Sequence, residues 1–520
     1  MDKQLLDKEV LVILDTRRIQ NFMFKSNTFF DTLGASDLMV HVLGDGIAYA
    51  LTHIDTPLKE DEYSLNQAYD EENIPYFVSE KVKFQIIVCA AGNALCIVRT
   101  GALAQKIIQK VSRYFLDHAY SLNLSAAAVA KTENMGNDIF MLYKKLNAVK
   151  ASCEVSNPLG PLAIVRTENK TGEPVIAYDE ENKDYVSSAS VIRREESKKR
   201  ASRISKNDMH FTPGPEGKKY QAVIHADGNN LGITIGRILQ NTGSYEEGIR
   251  KRRLINKNIS ENYSRIVKTS ISLLKSYCIS IGKPEEDFPK EFQLIHNAGD
   301  DVNVICNADL AFVFLEYFYK NLENTFLIKN ETDSVPFYVC AGIAFVTEDV
   351  DYHTSFGFAE ECCSSAKTMA KKEENLRNGF AGNWIDFQAY DMKNSQELDI
   401  LRLKSYRSYE GINFMLRPYC LDEIAKDEPY SYRNFRKRIR AIKKLRLTPS
   451  QNAAMTLSYS MGKKYFTAYI GNLKKQGIDL IEALGEPLYK QDGEEKAVWF
   501  DAFRMQYFFD EGDASCEKLD

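Results

Sequence analysis

Several common features are missing from this 520-residue sequence, and each absence excludes a class of protein. None of its ten cysteines forms a Cys-x-x-Cys pair, so we expect reduced, mostly buried thiols instead of a disulfide framework. No run of about 18 uninterrupted apolar residues occurs. The first residues also lack the basic and then apolar pattern of a signal peptide. We therefore predict a cytoplasmic protein with no membrane partner.

An excess of positive charge is missing as well. The chain has 67 Lys and Arg against 72 Asp and Glu, a net charge of −5. This balance argues against a protein that coats nucleic acid through bulk charge, although it leaves room for local basic grooves. The apolar fraction of 44% is ample for real cores, and the length fits three or four domains.

The same order of predicted elements occurs twice along the chain. In each half, strand, helix, strand, tight turn, strand, helix and strand follow one another, which is typical of a βαββαβ palm-like unit. The sequence therefore predicts an α+β fold with two ferredoxin-like palm domains, an irregular connector and a helical C-terminal domain. The first palm covers 1–150, the connector 151–219, the second palm 220–395 and the helical C-terminal domain 396–520.

Local patterns refine the connector and the C-terminal region. The connector is rich in charged and turn residues, and a short hairpin is expected at 160–178. Helices are expected to begin within 417–424 and to cover 432–447. Thr448 followed by Pro449 is typical of an N-cap with proline at the first helical position, so a further helix is expected there.

Carboxylates lie where two apolar strands of the second half end. Asp227 closes one strand, and Asp300 and Asp301 occupy the tight turn of a hairpin. If these strands are neighbours, Asp227 and Asp300 can hold two divalent cations for phosphoryl chemistry. In extended geometry the side chain of Asp301 lies on the opposite face from that of Asp300. Asp301 therefore either turns toward the attacking hydroxyl or orients its neighbours. The alternative is that all three are ordinary turn residues.

Two further patterns suit a bound nucleotide. A glycine-bearing turn after Asp227 leads into a helix, where backbone N–H groups can cradle phosphates. Two lysines four residues apart share one face of a later helix and would hold the β- and γ-phosphates, unless they form an ordinary solvated face. The candidate nucleotide-binding residues are Gly228, Asn229, Asn230, Gly232, Lys367 and Lys371.

The first half has the same scaffold without the acids. Asn93 and Ala94 occur where the second half has Asp300 and Asp301, while Asp15 still ends the first strand. One carboxylate and one amide make a poor divalent site. We therefore predict that the first palm is catalytically silent and serves as a structural partner. Whether it also offers a surface that holds ATP stays open.

Together these stretches resemble the large palm-domain polymerase/cyclase subunit of type III CRISPR effector complexes, a family that makes cyclic oligoadenylates. GGDEF-type diguanylate cyclases share the palm and are the more distant relative. The stretches that carry the resemblance are Asp15-x-x-x-Ile19-Gln20-x-Phe22, Gly34-Ala35-Ser36, Asp227 to Gly232, Ala298 to Asp301, Cys340 to Ala344, Ala359-Glu360, Ala366-Lys367 and Arg417-Pro418-Tyr419.

The resemblance implies an ATP-dependent nucleotidyltransferase that joins ATP into linear or cyclic oligoadenylates in antiviral defence. Asp227 and Asp300 would hold Mg²⁺ or Mn²⁺, and Asp301 would support the attacking hydroxyl. Lys367 and Lys371 would hold phosphates. RNA, other CRISPR effector subunits and a second copy of the chain are the further partners that this interpretation leaves open.

The sequence also departs from the family pattern. Asn229 stands where the family often has a second Asp, and Ala298 replaces the first Gly of Gly-Gly-Asp-Asp. The sequence has no His-Asp nuclease motif before the first palm and no paired Cys-x-x-Cys zinc element between the palms, so we expect no DNase activity.

These departures keep two other functions open. One is a catalytically decayed RNA-binding scaffold or nucleotide sensor, which the Lys- and Arg-rich segment 433–446 also favours. In that segment Phe435, Ile439 and Ile442 form an apolar stripe, and a solvated basic face is the simpler explanation. The other is a diguanylate-type cyclase that uses GTP, because no residue identifies the base.

Overall fold

The computed structural model of the chain describes residues 3–26, 29–70, 73–90, 92–152, 164–181, 183–200, 208–329, 334–376, 382–390, 397–408, 410–491 and 493–509. Within these ranges, no helix is both long enough and apolar enough to cross a membrane. One contiguous cluster of buried apolar side chains includes residues from both main sheets and from the C-terminal helices. The predicted α+β class with two palm-like units is confirmed, and the exact domain boundaries stay a prediction.

The first palm-like unit is built on a five-stranded sheet with the order β2-β3-β4-β1-β5. Alternate side chains of β1 belong to two different apolar clusters, so this strand is covered on both faces. This explains why its sequence is a continuous apolar run. The strands are β1 (Val10–Arg17), β2 (Tyr63–Ser64), β3 (Phe84–Ala90), β4 (Asn93–Val98) and β5 (Asn123–Ala130). The helices are α1 (Ile19–Phe24), α2 (Phe29–His53), α3 (Pro75–Val78), α4 (Gly101–His118) and α5 (Met135–Ser152).

The second unit follows a connector and has a seven-stranded sheet. Six of its strands lie in the order β10-β11-β9-β14-β15-β16, and the seventh, β8, pairs with β9 outside this order. The connector contains β6 (Val175–Asp179), β7 (Asp184–Ser187) and α6 (Ser188–Ser197). The strands of the second sheet are β8 (Thr212–Pro213), β9 (Lys219–Gly228), β10 (Phe292–Ala298), β11 (Asp301–Asn307), β14 (Val339–Thr347), β15 (Trp384–Tyr390) and β16 (Tyr419–Cys420), and a separate pair is β12 (Phe326–Lys329) and β13 (Ser334–Pro336). The helices are α7 (Leu231–Gln240), α8 (Tyr245–Ser280), α9 (Phe288–Glu291), α10 (Ala311–Leu322) and α11 (Tyr352–Leu376).

The two units repeat each other in detail. The order β3-β4-β1-β5 of the first sheet matches β10-β11-β9-β14 of the second. The outer strand of each central hairpin carries a register shift, between Ile86 and Val88 in one unit and between Leu294 and His296 in the other. The two hairpin turns each contain a glycine in the left-handed region, Gly92 at φ 77° and Gly299 at φ 64°. The repeat inferred from the order of elements is thus present in three dimensions.

The connector and the C-terminal region differ from expectation in part. Within the predicted 160–178, of which 160–163 fall outside the described residues, an antiparallel bridge joins Thr167 to Pro174, and a regular hairpin follows at 175–187. The prediction that a helix begins within 417–424 is wrong. Tyr419 instead pairs with Ile385 as part of strand β16 and is fully buried against the second sheet.

The remaining C-terminal elements are mostly helical, as predicted. Phe435, Ile439 and Ile442 are buried, which confirms the apolar stripe of the basic helix, and Thr448 accepts a hydrogen bond from the backbone of Gln451 as the expected N-cap. The elements are α12 (Leu398–Ser405), α13 (Tyr432–Lys444), α14 (Pro449–Ser460), α15 (Lys463–Lys475), α16 (Leu480–Leu484), β17 (Leu488–Gln491), β18 (Glu494–Ala497) and α17 (Phe500–Met505). The β17–β18 hairpin was not expected.

Candidate nucleotide and metal site

The carboxylates of Asp227 and Asp300 meet at one edge of the second sheet. Strand β9 lies beside β11, with Ala226 opposite Val302, so the end of β9 meets the turn that joins β10 to β11. A Cβ atom placed on Gly228 would lie only 2.6 Å from an oxygen of Asp300, which shows that the Asp300 side chain reaches over the end of β9. The two strands are therefore neighbours, the condition on which the sequence interpretation depends.

The shared position of these two acids changes their electrostatics. Burial and then the negative charge of Asp227 raise the pKa of Asp300 to about 7. A bound cation would remove this repulsion and allow both groups to ionise. Within the described part of the chain, no group of three or more His, Cys, Asp or Glu side chains has the arrangement of a metal site. Asp227 and Asp300 thus offer two carboxylates, and Mg²⁺ commonly takes its other ligands from water and substrate phosphates.

Lys367 reaches this pair from helix α11. Its ammonium group donates a hydrogen bond to Asp227 Oδ2. Burial opposes the charged lysine, but the Asp227 carboxylate outweighs it and raises the pKa of Lys367. The helix can approach because Gly342 of β14 lies beneath it, where a Cβ atom would come within 2.0 Å of the Ala359 carbonyl oxygen. Lys371, one turn further along α11, is exposed.

The carboxylate of Asp301 has partners of its own, His225 and Asn303. His225 Nδ1 lies 3.2 Å from Asp301 Oδ1, and Asn303 Nδ2 donates a 3.1 Å hydrogen bond to the same oxygen. Burial favours the neutral acid, but the adjacent His225 outweighs it and lowers the pKa of Asp301. In turn, the Asp301 carboxylate raises the pKa of the buried His225 to about 9, against the effect of burial. This pairing suits a residue that orients the hairpin turn.

The turn after β9 leaves one side chain without partners. The backbone N–H of Asn229 donates to the Tyr338 carbonyl, but among the described residues neither the oxygen nor the nitrogen of its side-chain amide has a hydrogen-bond partner, although Asn229 is only 4% exposed. Unpaired buried amides are rare and cost about 1–3 kcal/mol each. Asn230 then adopts the left-handed conformation, at φ 57°, and α7 begins at Leu231. Gly232 faces open space.

A cavity of about 620 Å³ opens beside Asp300, between the two palm-like units. Its walls come from the β3–β4 hairpin, α5, α7, α8 and the Gly299–Asp300 turn. This volume is in the range of small-molecule and cofactor sites. Arg252 of α8 lines it, and the Nη1 atom of this arginine is buried with no hydrogen-bond partner in the part of the chain that the structure describes. Burial lowers the pKa of Arg252, opposed by the charges of Tyr143 and Asp300.

Sequence reasoning did not find Arg252 or the cavity. Both depend on how the first unit packs on the second, which no local pattern reports. The basic run 250–253 on α8 was the available signal. Its members differ in role, because the neighbouring Arg253 is buried and donates to backbone carbonyls of the first unit, including Ile86 and Asn66.

The fold and the site define a protein with paired palm units and a two-carboxylate site at the hairpin of the second. No protein-family model matches the sequence. A search of curated proteins likewise finds no match. Among solved structures, the chain is similar to the Csm1–Csm4 cassette in complex with cA4, at a TM-score of 0.53 and 12% identity over 97% of this chain and 70% of that one.

Two further crystal structures of the same cassette show a similar likeness. The complex with pppApApA gives a TM-score of 0.54 at 12% identity, covering 98% of this chain and 70% of that one. The complex with pppApA gives 0.50 at 11% identity, covering 96% and 69%. At this identity the likeness establishes a shared fold. The sequence resemblance to the large palm-domain subunit of type III CRISPR complexes is thereby confirmed in the fold.

Proposed function

We propose that this chain is an ATP-dependent nucleotidyltransferase that joins adenylates into linear or cyclic oligoadenylates in CRISPR-type defence. The observation that carries the proposal is the Asp227–Asp300 pair, two carboxylates held so close that burial and mutual repulsion raise the pKa of one to about 7. The cavity beside Asp300 is large enough for a nucleotide. The similar cassettes were crystallised with cA4 and pppApApA, which supports ATP as the substrate.

The proposed reaction is an in-line displacement at phosphorus. A 3′-hydroxyl oxygen loses its proton to water and forms a bond to the α-phosphorus of ATP, the α–β phosphoanhydride bond breaks, and pyrophosphate leaves with the electron pair. Bound Mg²⁺ or Mn²⁺ supplies Lewis-acid stabilisation of the attacking and leaving oxygens. Asp227 and Asp300 hold the cation, and the chain otherwise contributes positioning and charge neutralisation.

Other side chains have supporting roles in this proposal. Lys367, which donates a hydrogen bond to Asp227, turns to the triphosphate, and the exposed Lys371 extends the same cationic face. The unpaired amide of Asn229 gains ligand partners. Asp301, paired with His225, keeps the turn in place for the attacking hydroxyl. Arg252 adds a buried cation to the cavity between the units.

The first unit is non-catalytic in this proposal. Its strand register places Asn93 opposite Asp15, so the position of the second acid is an amide. Asp15 is 8% exposed and already paired with Lys150. The unit instead supplies walls of the cavity through its β3–β4 hairpin and α5.

The decayed scaffold remains the second candidate, and Asn229 in place of an acid is the observation that favours it. The basic helix α13 supports it less than its sequence suggests. Arg436 pairs with Glu316, Arg438 donates to the Pro429 carbonyl, and Lys443 donates to the Phe509 carbonyl. Much of its charge is therefore occupied within the fold.

One experiment separates the candidates. The purified chain is incubated with labelled ATP or GTP and Mn²⁺, with and without RNA, and the products are resolved by chromatography. Adenylate products that disappear in Asp227→Asn/Asp300→Asn support the synthase, and guanylate products indicate the diguanylate-type cyclase. Tight nucleotide or RNA binding with no product under any condition supports the scaffold. RNA, other effector subunits and a second copy of the chain are the partners to test for activation.

A further inference from the structure

Two stacked pairs of aromatic rings lie side by side on the helical face of the first unit, joined by a contact tilted at 42°. The rings of Tyr49 and His53 lie 3.9 Å apart with an interplanar angle of 15°. Those of Tyr114 and His118 lie 4.2 Å apart at 28°. The two tyrosine rings are 5.3 Å apart and join the pairs. We call the row His53–Tyr49–Tyr114–His118 the ring ladder.

The ring ladder follows from a short pattern that occurs twice. Tyr-x-x-x-His appears in α2 and again in α4, and residues four apart share one face of a helix. The helices approach closely because Gly46 of α2 faces α4, where a Cβ atom would lie 3.1 Å from the Tyr114 ring. Two stacked pairs on separate helices are thereby brought into contact through their tyrosines.

The ends of the ring ladder stand in solvent. His53 and His118 are exposed, and the two tyrosines between them are half-buried. The end rings therefore contribute little to the apolar core, and much of each ring is in contact with solvent. An exposed, ordered aromatic face is a surface on which an unpaired base can stack.

Charge distinguishes the two ends. Lys106 and Lys110 continue the Tyr114–His118 row toward the start of α4, and Lys106 Nζ lies 3.6 Å from Asp55, two residues beyond His53. An exposed pair of this kind is weak, so the lysine can turn to a phosphate. Acids lie near the other pair, because burial and then the charges of Asp45 and Glu196 raise the pKa of Tyr114. The His53 end is the one that suits an anion.

We propose that the His53 end of the ring ladder binds single-stranded nucleic acid. An unpaired base extends the stack on the outer face of His53, while Lys106 and Lys110 contact the phosphate backbone. A duplex does not fit this role, since its bases are hidden within their own stack. The site lies on the outer helices of the first unit, apart from the cavity beside Asp300, so it goes beyond the proposed synthesis.

The test is fluorescence anisotropy with labelled single-stranded RNA and DNA of the same sequence, a matched abasic strand and a duplex, at about 0.1 M salt. We expect the full-length protein to bind the strands with bases about tenfold more tightly than the abasic strand. His53→Ala and Lys106→Glu should each weaken binding, and His53→Ala alone should abolish the preference for bases. RNA bound more tightly than DNA identifies RNA as the natural strand, and equal binding identifies any unpaired strand.

Two matched variants make the result decisive. Tyr49→Phe/Tyr114→Phe keeps both stacked pairs and should bind as the unaltered protein does. Lys437→Glu/Lys444→Glu removes exposed charge from α13 and should leave the preference for bases intact. The proposal is overturned if the duplex or the abasic strand binds as tightly as the single strand. Loss of binding in the α13 variant with none in His53→Ala also overturns it.

Discussion

The ammonium group of Lys150 lies 2.5 Å from a carboxylate oxygen of Asp15. In the second unit, Lys367 pairs with Asp227 in the corresponding place, and each lysine lies the same number of residues after the start of its helix. A lysine held against the acid at the end of the central strand is thus common to both units. The second acid, Asp300, is what distinguishes them, since Asn93 faces Asp15 in the first.

Loss of the second acid should therefore abolish synthesis. We expect Asp300→Asn to lower the rate of adenylate product formation by about a hundredfold or more, because one carboxylate cannot hold the cation against the triphosphate. The measurement is product formation from labelled ATP with Mn²⁺. Asp15→Asn, the matched change in the first unit, should stay within about threefold of the unaltered protein. Equal losses in both variants would contradict a silent first unit.

The Lys367–Asp227 pair predicts opposite effects on two measurements. Lys367→Met removes an internal cation that competes for Asp227, so Mn²⁺ should bind the ATP-free protein about threefold more tightly. The same variant should form product about a hundredfold more slowly, because a phosphate contact is lost. Calorimetry and the product assay measure these two quantities. Lys371→Met, on the exposed next turn, should leave Mn²⁺ binding unchanged, and weaker Mn²⁺ binding in Lys367→Met would argue against the competition.

Gly228 has no room for a side chain. A Cβ atom there would lie 2.5 Å from Leu231 Cδ1 and 2.6 Å from Asp300 Oδ2. Gly228→Ala should therefore displace the Asp300 carboxylate and lower product formation about tenfold or more. Gly471→Ala in α15 is the control, since among the described residues no atom outside its own helix backbone lies within 4 Å of the added methyl group. It should preserve activity and raise the free energy of unfolding by about 0.5–1 kcal/mol.

Arg252 should contribute to nucleotide affinity. Its Nη1 atom is buried and unpaired beside the cavity, so a triphosphate or a base carbonyl can supply the missing acceptor. We expect Arg252→Ala to weaken binding of a non-hydrolysable ATP analogue about tenfold, measured by calorimetry. Arg265→Ala, an exposed change on the same helix, should have no measurable effect. Unchanged affinity in Arg252→Ala would place the nucleotide elsewhere.

A buried ion network supports the second sheet and should make stability depend on pH. Asp386 is fully buried, and Arg402 donates two 2.8 Å hydrogen bonds to it. Burial favours the neutral acid, but Arg402 and then Arg417 outweigh it and lower the pKa of Asp386. Because the folded pKa lies below the unfolded one, this stability is present above about pH 4 and is lost as the pH falls through the folded pKa.

Asp386→Asn should thus cost about 3–5 kcal/mol at neutral pH and progressively less in acid. Urea unfolding of both proteins between neutral and acidic pH measures the difference. Asp399→Asn, an exposed change in α12, should track the unaltered protein at every pH. A difference that does not shrink in acid would show that the carboxylate charge is not the source of the stability.

Local patterns predicted the parts of this fold that are local in origin. The apolar run before Asp227, the hairpin turn at Asp300 and the cap at Thr448 each depend on neighbouring residues, and the structure has the expected strand, turn and helix at these places. The helix expected around Tyr419 failed for the opposite reason. That residue is fixed by strand pairing with Ile385, which is distant in sequence, so tertiary contact overrides helical spacing.

The candidate site likewise has features that the sequence could predict and features that it could not. The positions of Asp227 and Asp300 at strand end and turn could be read from the sequence, and their proximity followed once the strands were assumed to be neighbours. The pairing of Asp301 with His225 needed the actual register of β9 and β11. The cavity and Arg252 needed the packing of one unit on the other. Physical effects that act across units leave no periodic trace in a sequence.

Helix α8 has a consequence for how the duplicated units could diverge. Its Arg253 is buried against backbone carbonyls of the first sheet, while further along Tyr263 is buried in the second unit and donates to the Ala226 carbonyl just before Asp227. A single element of 36 residues is thus part of both cores. Removal of the first unit would leave the Arg253 guanidinium and one side of this helix in water. A first unit that lacks the second acid is therefore still required by the core of the second unit, so its residues at the hairpin turn can change while its surface facing α8 cannot.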